Sequence, residues 1–148
     1  MATSDAARIA AFLAAGPWAV VGASNERSKY GNKVLRCYLQ AGKGPVHPVN
    51  PREREIEGLP AYPSLSALPE RPRAVSIITP PKITEQVVEE CATLGIRHLW
   101  MQPGAESPRA VERCAELGLA LVAAGPCLLV VLRCRDKAAP SLEKQKSG

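Results

Sequence analysis

Apolar residues in this chain fall into five short runs, at 18–22, 46–50, 74–78, 98–101 and 119–123, separated by longer stretches with helical spacing. Most of these runs are nearly continuous rather than alternating, as suits parallel strands covered on both faces. Between them, Val34, Leu35, Tyr38 and Leu39 share one face of a helix over 32–41, which Gly42 stops. Pro80 and Pro81 open a helix over 83–94 that Gly95 ends, and Ser107 with Pro108 starts another that Gly118 closes. Upstream, Ser4 or Asp5 caps a first helix through Ile9, Phe12 and Leu13, which Gly16 and Pro17 terminate. The segment 51–72 is charged and then punctuated by proline, so it reads as a long loop with one short helical turn near 64–68. For 128–132, a last strand and a helical turn both fit.

Strands alternating with helices predict an α/β fold: an open, mostly parallel sheet with helices on both faces and right-handed crossovers. Ligands in such sheets bind beyond the carboxyl ends of the strands, where the strand order reverses. The unusual peptides of this chain sit at those ends: Gly22-Ala23-Ser24-Asn25, Pro48-Val49-Asn50-Pro51, Thr79-Pro80-Pro81, Gln102-Pro103-Gly104 and Gly125-Pro126-Cys127. Gly22 lets the backbone approach a ligand, and the helix start that follows favours an anion through its unbonded N–H groups and dipole. After strand two, where an NAD-binding unit carries an acid for the ribose, this chain has Arg52. The site therefore suits a nucleotide with an additional phosphate. A mere tight turn at Gly22, helix capping by Ser24 and Asn25, and a solvated charge run at Arg52 and Arg54 all stay open beside this reading. Arg27, Lys29 and Lys33 compete for the phosphate role.

At 148 residues one domain is expected, and a 46% hydrophobic content makes it globular. The domain is expected to span 1–132. No apolar run reaches membrane-spanning length, and Asp5 with Gly16-Pro17 breaks the alanine-rich start, against a signal peptide. More than half of the formal charge of +5 sits at 133–148, where five basic residues face two acidic ones. That tail is polar, is expected to be disordered, and lacks the interleaved aromatics of a nucleic-acid arm. Five cysteines without a C-x-x-C pair indicate neither a zinc site nor a disulfide scaffold, so a reduced, cytoplasmic protein is expected. His47 and His98 lie in apolar strands and read as core or edge residues. No Ser-His-Asp set, acid pair or metal box is present, so no catalytic residue and no metal are expected.

The motifs Val20-Val21-Gly22-Ala23-Ser24, Pro48-Val49-Asn50-Pro51, Tyr62-Pro63-Ser64-Leu65 and Leu99-Trp100-Met101-Gln102-Pro103-Gly104 resemble those of stand-alone CoA-binding domain proteins. These are similar in turn to the CoA-binding domain of the succinyl-CoA synthetase α-subunit. The resemblance covers about 12–132 and implies a Rossmann-like fold that binds coenzyme A. It implies that Gly22, Ala23, Ser24 and Asn25 line the pyrophosphate, and that Val49, Asn50 and Pro51 wall the adenosine. It further implies Arg52 or Arg54 near the 3′-phosphate, Ile78, Thr79, Pro80 and Pro81 beside the adenine and ribose, and Gln102 and Gly104 toward the pantetheine arm. Two stretches depart from many stand-alone members toward the synthetase form: Thr79-Pro80-Pro81 after strand three and Ala124-Gly125-Pro126-Cys127 after strand five. The synthetase's second domain, with its catalytic histidine, has no counterpart here. Three expectations follow: a non-enzymatic module for CoA or acyl-CoA, a ligase subunit whose catalytic domain is another chain, or an NADP-binding protein. Partners are then the small molecule itself, a second copy or a ligase chain, with neither nucleic acid nor membrane.

Overall fold

The computed structural model describes residues 5–133 apart from 124 and 126. Nearly all of the 133–148 tail lies outside that range. Five parallel strands form the central sheet: β1 (Trp18–Val21), β2 (Val46–Val49), β5 (Ala74–Ile77), β6 (His98–Met101) and β7 (Ala120–Val122). Their spatial order is β2-β1-β5-β6-β7. The order therefore reverses between β1 and β5, which is the switch point of a doubly wound sheet. Helices α2 (Tyr30–Gln40), α3 (Pro81–Leu94) and α4 (Pro108–Leu117) make the crossovers, while α1 (Asp5–Leu13) precedes β1 and α5 (Leu128–Val131) follows β7.

Side chains alternate across each strand, and the two faces feed separate cores. Trp18, Val20 and Trp100 pack with Phe12 of α1, Val34, Leu35 and Tyr38 of α2, and Leu128 of α5. Ala19, Val21, Val75, Ile77, Leu99 and Met101 pack with Val87, Val88 and Cys91 of α3 and Cys114 of α4. Both faces are thus covered, and this is why the strands carry apolar residues at consecutive positions. The one polar residue in β5, Ser76, is fully buried and meets the Tyr38 hydroxyl at 2.6 Å. Phe12 and Trp100 stack edge to face at 5.3 Å.

Capping follows the sequence closely. Ser107 accepts a hydrogen bond from the Ala110 amide at 2.9 Å, and Gly95 and Gly118 end α3 and α4 in the left-handed conformation. The 128–132 stretch is helical. One feature of 51–72 departs from the expected loop. A small hairpin, β3 (Glu55–Ile56) and β4 (Leu59–Pro60), turns on Glu57 and Gly58, both at positive φ as its tight turn requires. Ile56 anchors it with no exposed surface. The short turn near 64–68 is present as a 3₁₀ turn, Leu65–Ala67. His47 lies in the edge strand β2 and meets the Glu70 carboxylate at 2.8 Å. One expectation is corrected. Cys37 is disulfide-bonded, against a fully reduced set.

Candidate functional site

Beyond the carboxyl ends of β1 and β5 the chain makes a tight crossing. The Gly22 amide bonds the Val49 carbonyl at 3.2 Å, and the Ile78 amide bonds the Val21 carbonyl at 2.8 Å. Gly22 has φ +98, and a Cβ there would run into the Ile78 carbonyl. A Cβ on Gly31, in the first turn of α2, would run into the Gly22 carbonyl. Glycine at both positions is therefore set by backbone packing, and Gly22 does more for the fold than the sequence reading assigned to it.

The amides of Ala23, Ser24 and Asn25 make no hydrogen bond among the described residues. These three successive unbonded N–H groups lie in the loop between β1 and α2, which begins at Tyr30. Ser24 Oγ accepts the Glu26 amide at 3.0 Å, leaving its own O–H to donate. Asn25 is committed elsewhere: its carboxamide donates to Glu53 and to the Glu55 carbonyl, both at 2.9 Å. Asn50 is also a brace, donating to the Ala23 carbonyl at 2.8 Å and accepting the Arg52 amide at 2.7 Å. These two asparagines hold the loops after β1 and β2 together.

Beneath that turn lies a charged network. Fully buried Asn32 donates to the Ser24 carbonyl at 2.8 Å and to Glu57 at 3.0 Å, and accepts from Arg36 at 2.6 Å. Arg27 pairs with Glu57 at 3.3 Å. The Asn32 hydrogen bond, helped by Arg27, holds the Glu57 carboxyl below its ordinary range. Of the competing cations, Arg27 is thus spoken for and Lys29 pairs with Glu26 at 3.6 Å. The side chains of Arg52 and Arg54 are exposed and have no partner among the described residues.

A cavity of about 500 Å³ opens on the other side of the switch point, lined by Tyr30, Ile78, Thr79, Pro80, Pro103, Gly104, Ala105 and Cys127. It brings together Ile78, Thr79, Pro80 and Gly104 of the expected residues. Pro81 stands outside its wall as the first residue of α3, and Val49, Asn50 and Pro51 lie at the end of β2, away from it. Gln102 is wholly buried behind the wall; its Oε1 accepts from the Leu128 amide at 2.9 Å and from the Tyr30 hydroxyl at 3.4 Å. Tyr30 also touches Cys127 Sγ, and burial and that contact push its phenol above the ordinary range. Tyr30 was missed in the sequence, where only its place just before the helix over 32–41 could have marked it.

The comparisons with known proteins agree with this architecture. The family model described as "CoA binding domain" matches residues 17–133. An ADP-forming acetate–CoA ligase I from Archaeoglobus fulgidus is 42% identical over 73 residues, 49% of this chain and 10% of that protein. The α subunit of an ADP-forming acetate–CoA ligase II from Pyrococcus furiosus is 37% identical over 79 residues, 53% of this chain and 17% of the subunit. The matched region thus spans under a fifth of either ligase chain. Among solved structures, a conserved hypothetical protein from Pyrococcus furiosus is 39% identical with a TM-score of 0.72, covering 77% of this chain and 97% of that one. The doubly wound sheet, the amide-lined turn after β1 and the family match over most of the sequence lead to one assignment: this chain belongs to the CoA-binding domain family.

Proposed function

We propose that the chain binds coenzyme A, free or acylated, across the carboxyl ends of β1, β5 and β6, and that it does so as a non-catalytic module. The observation that carries this reading is the pairing of an anion-accepting turn with an apolar cavity on either side of one switch point. CoA needs both: its pyrophosphate is anionic and its pantetheine arm is long and uncharged. The amides of Ala23, Ser24 and Asn25 suit the pyrophosphate, and the cavity suits the arm. Arg52 and Arg54, exposed beside the turn, supply charge for the 3′-phosphate. The unpartnered arginines also fit the 2′-phosphate of NADP, so ligand identity is the discriminating observation.

A second reading has its own support. The relative from Pyrococcus furiosus is named as a subunit, so a chain of this family can work beside a separate partner. In that case the present chain supplies the CoA site of a ligase. Co-purification of a ligase chain with the full chain as bait separates the subunit from the module, and incubating the purified chain alone with acetate, ATP and CoA tests the non-catalytic reading. The module predicts no acetyl-CoA above background, whereas acetyl-CoA formation by the chain alone overturns the non-catalytic reading. Native mass spectrometry of the same preparation identifies any retained nucleotide, and retained NADP in place of CoA overturns the ligand.

A further inference from the structure

We propose that Cys127 is a thiol–disulfide exchange site for CoA, holding the CoA sulfur as a mixed disulfide in the cavity beyond β5 and β6. This rests on the CoA-binding reading above and goes beyond it, because that reading needs no covalent step.

Three observations converge on the same spot. Cys127 is a free thiol on the cavity wall, whereas the other free thiols among the described residues, Cys91 and Cys114, are buried under α3 and α4. Burial pushes both of those upward, Cys114 to about 11, so they stay protonated and unreactive. Cys127 instead touches the Tyr30 hydroxyl. Tyr30 keeps its proton well above neutrality, and that single proton can turn from Gln102 Oε1 to the sulfur as negative charge develops there.

The third observation points to a ligand. Gln102 is fully buried, and its Oε1 is fixed by the Leu128 amide and the Tyr30 hydroxyl. That orientation leaves its Nε2 buried with no hydrogen-bond partner. A buried N–H₂ beside the Tyr30–Cys127 pair calls for an acceptor from outside the chain. The pantetheine arm carries an amide whose nitrogen is one ethylene unit from the sulfur. A sulfur placed on Cys127 therefore puts that amide in the cavity, in front of the wall that buries Gln102.

The exchange balances without an external oxidant. The Cys127 thiolate attacks one sulfur of a CoA disulfide, forming the Cys127–S–S–CoA bond and breaking the original S–S bond. The second CoA leaves as a thiolate and takes up the proton that Cys127 gave to solvent. The oxidised co-reactant is thus the CoA disulfide itself, and no net electrons are gained or lost.

The test uses the full chain with CoA disulfide at neutral pH, read by non-reducing intact mass and peptide mapping. The expected result is one CoA moiety on Cys127, removed by dithiothreitol and absent from Cys127→Ser. Labelling should be at least about tenfold faster than with hydroxyethyl disulfide, which lacks the nucleotide, because binding orients the reacting sulfur. Desulfo-CoA, which has no thiol, should bind by calorimetry and slow the labelling. If desulfo-CoA binds but Cys127 is unlabelled, or both disulfides label it equally fast, the exchange site is wrong and CoA binding stands. If desulfo-CoA does not bind at all, the CoA-binding reading fails and the exchange site fails with it.

Discussion

Arg52 and Arg54 are exposed with no side-chain partner among the described residues, and the proposed binding mode gives them a ligand phosphate. A contact to the 3′-phosphate should distinguish CoA from dephospho-CoA by about tenfold or more, about 1.4 kcal/mol. The double variant Arg52→Ala, Arg54→Ala should lose that preference and keep its affinity for dephospho-CoA, measured by calorimetry. A preference that survives the double variant would put the 3′-phosphate elsewhere. Gly22 behaves differently. A Cβ there collides with the Ile78 carbonyl at a backbone φ of +98, so Gly22→Ala should cost more than about 1–3 kcal/mol of stability. Thermal unfolding would read this as a lowered midpoint, and an unchanged midpoint would show that the β1–β5 crossing relaxes freely. Gly22 was legible as special because a glycine closing an apolar run is unusual. Its reason was not, because the opposing carbonyl belongs to a residue 56 positions away.

The β3–β4 hairpin ties the element order to the site. It carries Glu57, whose carboxyl Asn32 and Arg27 hold below its ordinary value of 4.5. A carboxylate depressed in the folded state stabilises that state above its unfolded value and loses the contribution as pH falls through the folded value. Urea unfolding should therefore show stability falling below about pH 4.5, with a shallower fall in Glu57→Gln. Equal slopes in both proteins would mean that other carboxylates carry the acid sensitivity. A second element contact, α2 on β5, is testable through the Tyr38–Ser76 hydrogen bond. Ser76→Ala leaves a buried phenol unsatisfied and should cost about 1–3 kcal/mol in urea unfolding. A neutral change would show that Tyr38 finds another partner. The sequence announced β1, β2, β5, β6, β7 and the four long helices through apolar runs and glycine or proline stops. It missed the hairpin because two-residue strands have no periodicity to read, and Glu57 holds the positive φ that a turn search expects of asparagine or glycine.

For the whole molecule, the doubly wound sheet explains why peptides far apart in sequence gather beyond one end of the strands. The switch between β1 and β5 exposes the ends of both strands, and the loops after β2 and β6 flank them. That much was readable from strand–helix alternation alone. The division of the site was not. The amide-lined turn after β1 and the apolar cavity lie on opposite sides of the crossing, and only the folded chain shows that Tyr30 and Cys127 meet on the same cavity wall as Pro103 and Gly104. Among the described residues no helix is long and apolar enough to cross a membrane. The proposed property of this arrangement is selection of CoA. Titration calorimetry of the full chain against CoA, acetyl-CoA, NAD and NADP tests it most directly. Saturable binding of CoA or acetyl-CoA at least about tenfold tighter than either dinucleotide, about 1.4 kcal/mol, is expected. Saturable binding of NADP with no heat from CoA or acetyl-CoA would contradict it.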